Sequence, residues 1–119
     1  MHRYRPHADA LSAAWRDLSG TLEALLPAPA SDKDRTLANA NVFLEALGHV
    51  VLAWTWLRQA LVVNDALPRA NGAADEDFYP GNLHACQWFF RCELPRVPPM
   101  LALLRTLDDT TFGMAPQWF

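Results

Sequence analysis

The stretch NVFLEALGHVVLAWTWLRQALVV, from Asn41 to Val63, decides the fold of this chain. One row of apolar residues recurs at alternating steps of four and three, which is the spacing of one face of a helix: Phe43, Leu47, Val50, Trp54, Leu57 and Leu61. A second row, which includes Leu52 and Trp56, points the opposite way. Between the two rows lies a flank of small residues: Ala46, Ala53 and Ala60. A helix that is apolar on every side is surrounded by protein or by lipid. The stretch therefore predicts the axis of a helical bundle, with partners on at least two sides.

Length and composition indicate one domain with a core of its own. The chain has 119 residues, of which 51% are hydrophobic and 19% charged, so disulfide bonds are not needed to hold it together. The formal net charge is −3 and the basic residues are scattered, which argues against a nucleic-acid partner. The longest uncharged apolar run, 46–57, is shorter than the roughly 18–20 residues that a membrane span needs. With no signal peptide pattern at the start, we expect a cytoplasmic chain without a membrane span.

The two cysteines, Cys86 and Cys92, fall on one predicted helix. Their spacing separates them by about 9 Å along the helix and places them on different faces, so they cannot bond to each other. No further ligands stand close enough in sequence to complete a metal site. We expect both to be reduced packing residues, as suits a reducing compartment.

The pattern along the chain predicts an all-α fold in a single domain, residues 1–119: an elongated up-down bundle of three long helices plus a short fourth after a proline break. Residues 1–6 form a linker stub and residues 108–119 a tail. The first helix runs over about 7–26, with one apolar stripe: Leu11, Trp15, Leu18, Leu22 and Leu25. The central helix begins near a capping box formed by Ser31 and Asp34 and continues to about Leu67. That length is roughly 50 Å, so the bundle must be elongated, and part of this helix is expected to lean on something outside the chain.

The third helix has Asp77 as its expected N-cap and Pro80 in its first turn. Its stripe comprises Tyr79, Leu83, Cys86, Phe90 and Leu94, widened by Trp88 and Phe89. Pro95, Pro98 and Pro99 break or kink it before the short fourth helix at 100–107.

His49 is the sharpest candidate for chemistry, because it lies mid-helix among apolar residues with Glu45 one turn before it. Such a pair could move a proton or bind a metal, and His84 could add a ligand from the neighbouring helix. The alternative, which we favour, is a buried, hydrogen-bonded pair inside the core or an interface. The chain contains no complete metal motif, Gly-rich phosphate loop or nucleophile elbow, and we assign no catalytic, cofactor-binding or metal-binding residue.

Four apolar residues are candidates for an interface. Leu52 and Trp56 lie on the second row of the central helix, which the first and third helices do not cover if they pack on the first row. Trp118 and Phe119 end the chain, and we expect them to dock in a groove of the bundle or against a partner.

Two segments together resemble a known family. LANANVFLEALGHVVLAWTWLRQAL (Leu37 to Leu61) and FYPGNLHACQWFFRCELPRVPPMLALLRTLDDTT (Phe78 to Thr111) are similar to the C-terminal helical extension of acyl-CoA dehydrogenases, in the subgroup that includes 3-methylmercaptopropionyl-CoA dehydrogenase. The most specific parts are GHVVLAW (Gly48 to Trp54), the Phe78-Tyr79 pair and FFRCELPR (Phe89 to Arg96). Relatives tend to have a basic residue where this chain has Pro80, which would shift the start of the third helix by a turn.

The resemblance implies a bundle appended to the catalytic body of a flavoenzyme that oxidises acyl-CoA thioesters with FAD. None of that body's functional residues can be carried onto this chain. The first hypothesis is thus a non-catalytic accessory domain that packs against the catalytic body of an acyl-CoA dehydrogenase or a second copy of itself. The second is a free-standing bundle that binds a small apolar or acyl-type ligand near His49, Glu45 and His84. The third is an enzyme with Glu45 or His49 as general base.

Overall fold

The computed structural model describes residues 2–26, 33–66, 73–110 and 113–119, and the regular elements in those ranges are all helical. The α-helices are α1 (Arg5–Leu25), α2 (Lys33–Leu37), α3 (Ala40–Ala66), α4 (Ala73–Trp88) and α5 (Val97–Arg105). The predicted all-α class is confirmed.

The bundle is elongated, as predicted. Its radius of gyration is 19.2 Å and it measures 64 × 31 × 18 Å, whereas a compact domain of this length would have a radius of about 13–14 Å. α3 is the axis of the bundle and packs against α1, α4 and α5, and α5 also packs against α1. The core therefore lies along one side of α3.

The buried side of α3 is centred on its small residues. Ala46, Ala53 and Ala60 are completely buried, together with Val50, Leu57 and Val63. Trp54, expected on the covered face, is 50% exposed. Small side chains let the neighbouring helices approach closely, so the alanine flank faces the core and Trp54 lies at its edge, although Val50 and Leu57 of the same row are buried. A similar shift occurs on α1, where Ala14, Leu18, Thr21 and Leu25 are buried while Trp15 and Leu22 are exposed.

By length and composition, α3 is also the one helix in the described ranges that could cross a membrane, with a mean hydropathy of 1.3 over its most apolar window. A third of that window, 33%, is buried by the rest of the bundle. The core helix of a soluble bundle meets the same criterion, and the contacts of α3 are those of a core helix. The absence of a membrane span therefore stays a prediction.

The central helix is shorter than predicted, because the chain turns at Ala38 and Asn39 between α2 and α3. Asn39 is 9% exposed, and its carbonyl accepts hydrogen bonds from the backbone N–H groups of Val42 and Phe43 at the start of α3. Its side-chain amide donates to the carbonyl of Asp108 at 2.8 Å. This long-range bond favours the turn over a continuous helix. The predicted Ser31 half of the capping box lies outside the described residues.

Replacing Asn39 by alanine should lower the free energy of unfolding by about 1–3 kcal/mol, since the carbonyl of Asp108 loses its partner in a partly buried position. Urea unfolding followed by circular dichroism measures the loss. The matched control is Asn41→Ala, two residues further along and exposed, which should change the free energy by less than about 0.5 kcal/mol. Equal losses in the two variants would show that the bond to Asp108 does not hold the turn.

The third helix begins four residues earlier than predicted, at Ala73, so Asp77 is not its N-cap and Pro80 lies inside it. Alanine is the strongest helix former, and Ala73 and Ala74 extend the helix ahead of Asp77.

The predicted proline break is present. Phe89–Glu93 forms a π-helical segment in which the N–H of Leu94 donates to the carbonyl of Phe89, and Leu94–Arg96 is a 3₁₀ turn.

α5 starts at Val97, three residues before the predicted start of the fourth helix, because Pro98 and Pro99 fit its first turn.

Within the predicted linker stub, residues 1–6, the structure describes residues 2–6. His2–Tyr4 form a 3₁₀ turn that leads directly into α1, and Tyr4 is 6% exposed within the core cluster. The two cysteines, both predicted to be packing residues, differ in exposure. Cys86 is buried, as predicted, whereas Cys92 is exposed.

Candidate functional site

The most prominent surface feature is an open apolar face on α3, opposite its buried alanine flank. Its centre is a stripe with alternating steps of four and three, which we call the open stripe: Leu44, Gly48, Val51, Thr55, Arg58 and Val62. Leu44 and Val62, each about one turn from an end of α3, are 65% and 68% exposed, although both are large aliphatic side chains on the central helix. No element of the described chain covers this stripe, since the helices that contact α3 lie on its other sides.

Two grooves flank the open stripe. The groove between α1 and α3 has a volume of about 630 Å³ and is walled by Leu11, Trp15, Val50, Val51 and Trp54, with Ser12 and Arg16 at its edge. The groove between α3 and α4 has a volume of about 380 Å³ and includes Val62 and Phe78. Trp54 belongs to both, and the guanidinium of Arg58 lies 4.9 Å from the centre of its ring. The stripe and grooves together form one apolar surface with three exposed aromatic rings.

The predicted interface residues differ in their exposure. Leu52 is 50% exposed, whereas Trp56 is partly buried and packs against the core of its own bundle. Trp118 and Phe119 are 66% and 94% exposed, so the tail is not docked in a groove of the bundle. The other alternative for the tail, contact with a partner, stays a prediction.

Sequence reasoning missed the residues that build most of this surface. Trp54 and Trp15 were placed on buried stripes, and Phe78 was not given a role. The repeat from Leu44 to Val62 was the available signal, because its steps of four and three mark a second helix-packing face.

His49 is held by two acceptors. Its Nδ1 lies 2.9 Å from the carbonyl oxygen of Glu45, and its Nε2 lies 3.0 Å from Oε2 of Glu93. Since a carbonyl and a carboxylate only accept, both contacts are hydrogen bonds when both ring nitrogens carry a proton. The same Glu93 oxygen accepts from Nη1 of Arg96 at 3.0 Å. The His49–Glu93 pair thus ties α3 to the π-helical segment.

The predicted buried pair of Glu45 and His49 is therefore corrected. The Glu45 side chain is 51% exposed and its carboxylate lies 3.8 Å from Arg96, so Glu45 offers His49 only its backbone carbonyl. The acidic partner is Glu93, from the part of the chain that is adjacent to α3 only after folding.

The His49–Glu93 pair has the surroundings of a structural ion pair. The His49 side chain is 14% exposed, and its ring lies 6.1 Å from that of Phe89. His49 lines neither groove beside the open stripe, and His84 is exposed on a different groove that also contains Arg3 and Arg91. In the described part of the chain, no group of three or more His, Cys, Asp or Glu residues could hold a metal ion.

The pH dependence of stability tests the His49–Glu93 pair. The hydrogen bond from His49, followed by that from Arg96, lowers the pKa of Glu93 below its ordinary value near 4.5. A carboxyl group whose pKa is lower in the folded state stabilises the fold above about pH 4.5, and that contribution is lost as the pH falls through the folded pKa. The wild type should therefore lose stability more steeply than Glu93→Gln on acidification below pH 4.5, as measured by urea unfolding. Glu23→Gln, at an exposed position on α1, is the control and should follow the wild type. A Glu93→Gln profile that is as steep as the wild type would contradict the pair.

These features define a class: a helical bundle with a structural ion pair inside and an uncovered apolar face on its axial helix. Residues 2–115 match the family model described as "Acetyl-CoA dehydrogenase C-terminal like". Because the match spans nearly the whole chain, the chain belongs to that family, and it is an accessory C-terminal-type domain of acyl-CoA dehydrogenases. No curated protein matches the chain.

Proposed function

We propose that this chain is a non-catalytic accessory domain of an acyl-CoA dehydrogenase-like flavoprotein and that it packs, through the open stripe of α3, against the catalytic body or another subunit. The observation that carries the proposal is the uncovered apolar surface on the axial helix, with Leu44 and Val62 about two-thirds exposed. Surfaces of this kind mark contacts between proteins. The motifs from Gly48 to Trp54 and from Phe89 to Arg96 support the subgroup that includes 3-methylmercaptopropionyl-CoA dehydrogenase.

FAD belongs to the catalytic body in this proposal. A flavin site must hold a ring system and a diphosphate, and it must place polar groups against the ring nitrogens. The groove between α1 and α3 is large enough for a ring, but Ser12 and Arg16 are the only polar side chains that line it. The residues of this groove therefore do not fit the cofactor.

The spacing of the open stripe supports a second copy as the partner. Leu44 and Val62 lie at equal distances along the chain on either side of Ala53, and so do Gly48 and Arg58, and Val51 and Thr55. In an antiparallel pair of α3 helices, Leu44 of one copy would meet Val62 of the other, and Val51 would meet Thr55. Each Arg58 would cross the Gly48 of the other copy, where a methyl group added to Gly48 would meet no atom within 4 Å. A self-complementary stripe is what a two-fold interface requires, and antiparallel helix dipoles attract.

Opposite charges introduced at Gly48 test this pairing. Gly48→Arg places like charges opposite each other across the interface and should weaken self-association by about tenfold or more. Gly48→Glu gives Arg58 an opposite charge and should leave self-association unchanged or tighter. Both changes add helix propensity at an uncrowded position, so neither should destabilise the monomer. Sedimentation velocity over a concentration series gives the association constants.

Two results would contradict the proposal in different ways. Equal association constants for Gly48→Arg and Gly48→Glu would exclude the antiparallel pairing. A chain that stays monomeric and also fails to bind the purified catalytic body would exclude the accessory role as a whole. If a monomeric chain bound the catalytic body, the accessory role would stand, and the open stripe would contact the catalytic body instead of a second copy.

The groove between α1 and α3 favours one alternative, a free-standing bundle that binds a small apolar or acyl-type ligand. Its walls are almost wholly apolar, and Trp15 and Trp54 would report an occupant by fluorescence. Titration with a short fatty acid should quench the tryptophan emission under this alternative, and Trp15→Phe should reduce the change. A tryptophan emission spectrum that stays unchanged up to the solubility limit of the fatty acid would exclude the ligand-binding alternative.

A cytoplasmic location is part of the proposal. It is supported by two free cysteines, of which Cys92 is exposed and Cys86 is buried. Burial raises the pKa of the Cys86 thiol, which keeps that residue unreactive.

A further inference from the structure

A third groove lies between the start of α1 and α4, and none of its lining residues comes from α3. Its volume is about 630 Å³, and its polar walls are Arg3, Tyr4, His7, His84 and Arg91. Leu83 and two prolines, Pro6 and Pro80, form its apolar walls. Four of these residues are basic, although the whole chain carries a formal charge of −3.

The two arginines of this groove lack an acidic partner, unlike Arg5, Arg96 and Arg105. Arg5 lies 3.7 Å from Asp9, Arg96 lies 3.0 Å from Glu93 and Arg105 lies 2.7 Å from Asp17. Arg3 and Arg91 are exposed and make no ion pair with any residue in the described ranges. Arg91 is close enough that its charge, after burial, lowers the pKa of His7. The positive charges of the groove are therefore uncompensated.

Tyr4 lies beneath these basic side chains. The residue is 6% exposed and belongs to the core cluster, and its hydroxyl is enclosed within the protein, so a ligand in the groove would not reach the hydroxyl.

The start of α1 places no acidic residue beside these basic groups. Its first turn contains none, and Pro6 in that turn has no backbone N–H to donate.

We infer that this groove binds the phosphate group of a small organic phosphate. Two guanidinium groups and two imidazoles supply more donors and more charge than a single carboxylate can use. The volume exceeds that of one phosphate, so the organic part of the ligand lies against Leu83, Pro6 and Pro80. His7 is stacked on Phe90 with ring centres 4.5 Å apart, which fixes its orientation toward the groove. The site is separate from the open stripe and does not depend on the proposed accessory role.

Titration of the full chain with inorganic pyrophosphate tests the site, with calorimetry and NMR as the readouts. Pyrophosphate should bind, and because an anion favours the imidazolium it should raise the pKa of His7. Arg91→Gln should weaken binding by about tenfold. Arg16→Gln, at an arginine on the groove between α1 and α3, is the matched control and should leave binding within about twofold of the wild type.

Absence of heat and of any His7 shift at millimolar pyrophosphate would overturn the site, and equally tight binding of acetate would overturn its assignment to phosphate. Competition by an acidic peptide but not by pyrophosphate would assign the groove to a protein partner instead, and the inference would fail.

Discussion

Replacing Leu101 by alanine is expected to lower the free energy of unfolding by about 2–5 kcal/mol. Leu101 is completely buried at the centre of α5, the helix that packs against both α1 and α3. Truncation removes apolar contacts and leaves a cavity that helices held from two sides cannot close. Urea unfolding followed by circular dichroism measures the effect, with the slope checked for two-state behaviour.

Leu103→Ala is the matched control for this experiment, because Leu103 lies on the same helix and is 40% exposed. The Leu103→Ala substitution should lower the free energy of unfolding by less than about 1 kcal/mol. If both variants lost the same free energy, α5 would not be part of the core, and the packing of α1 on α3 through α5 would be wrong.

The alanine flank of α3 gives the second large effect. Ala53→Leu should destabilise the fold by about 1–3 kcal/mol or more, because Ala53 is completely buried where neighbouring helices come close. The added atoms must push a helix away or force strained rotamers. Ala13→Leu, at an exposed position in the middle of α1, should change the free energy of unfolding by less than about 0.5 kcal/mol. An Ala53→Leu variant with the free energy of unfolding and the near-ultraviolet circular dichroism of the wild type would show that the alanine flank can accommodate a larger side chain.

The general architecture could be predicted from the sequence because local signals define it. The stripe on α1 and the apolar stretch from Asn41 to Val63 each have helical spacing, and the three prolines after Glu93 mark a change of helix. An elongated shape is expected because α3, with 27 residues, is about 40 Å long.

The orientation of α3 could not be predicted in the same way. A helix that is apolar all round has no preferred side, so propensity and periodicity do not choose which row is buried. Packing decides which side of α3 is buried. The neighbouring helices can approach the alanine flank closely, and Trp54 therefore lies at the edge of the core. The turn at Asn39 was also missed, because its partner, the carbonyl of Asp108, comes from the other end of the chain.

The candidate sites show the same division. The sequence pairs His49 of α3 with the nearest acidic residue, Glu45, which offers it only a backbone carbonyl. Glu93 becomes its neighbour only through the π-helical segment. The groove around Tyr4 and Arg91 likewise joins residues from the start of α1 and the end of α4, which no local pattern relates.

The π-helical segment at Phe89–Glu93 has a consequence for how sequences of this family can be compared. Such a segment is an α-helix with one extra residue, which displaces everything after it by roughly 100° around the axis. A relative with a single-residue deletion here would form a continuous helix, and its acidic side chain would turn away from the histidine of the neighbouring helix. Alignment gaps in this short stretch should therefore coincide with replacement of that histidine, even where every other position is unchanged.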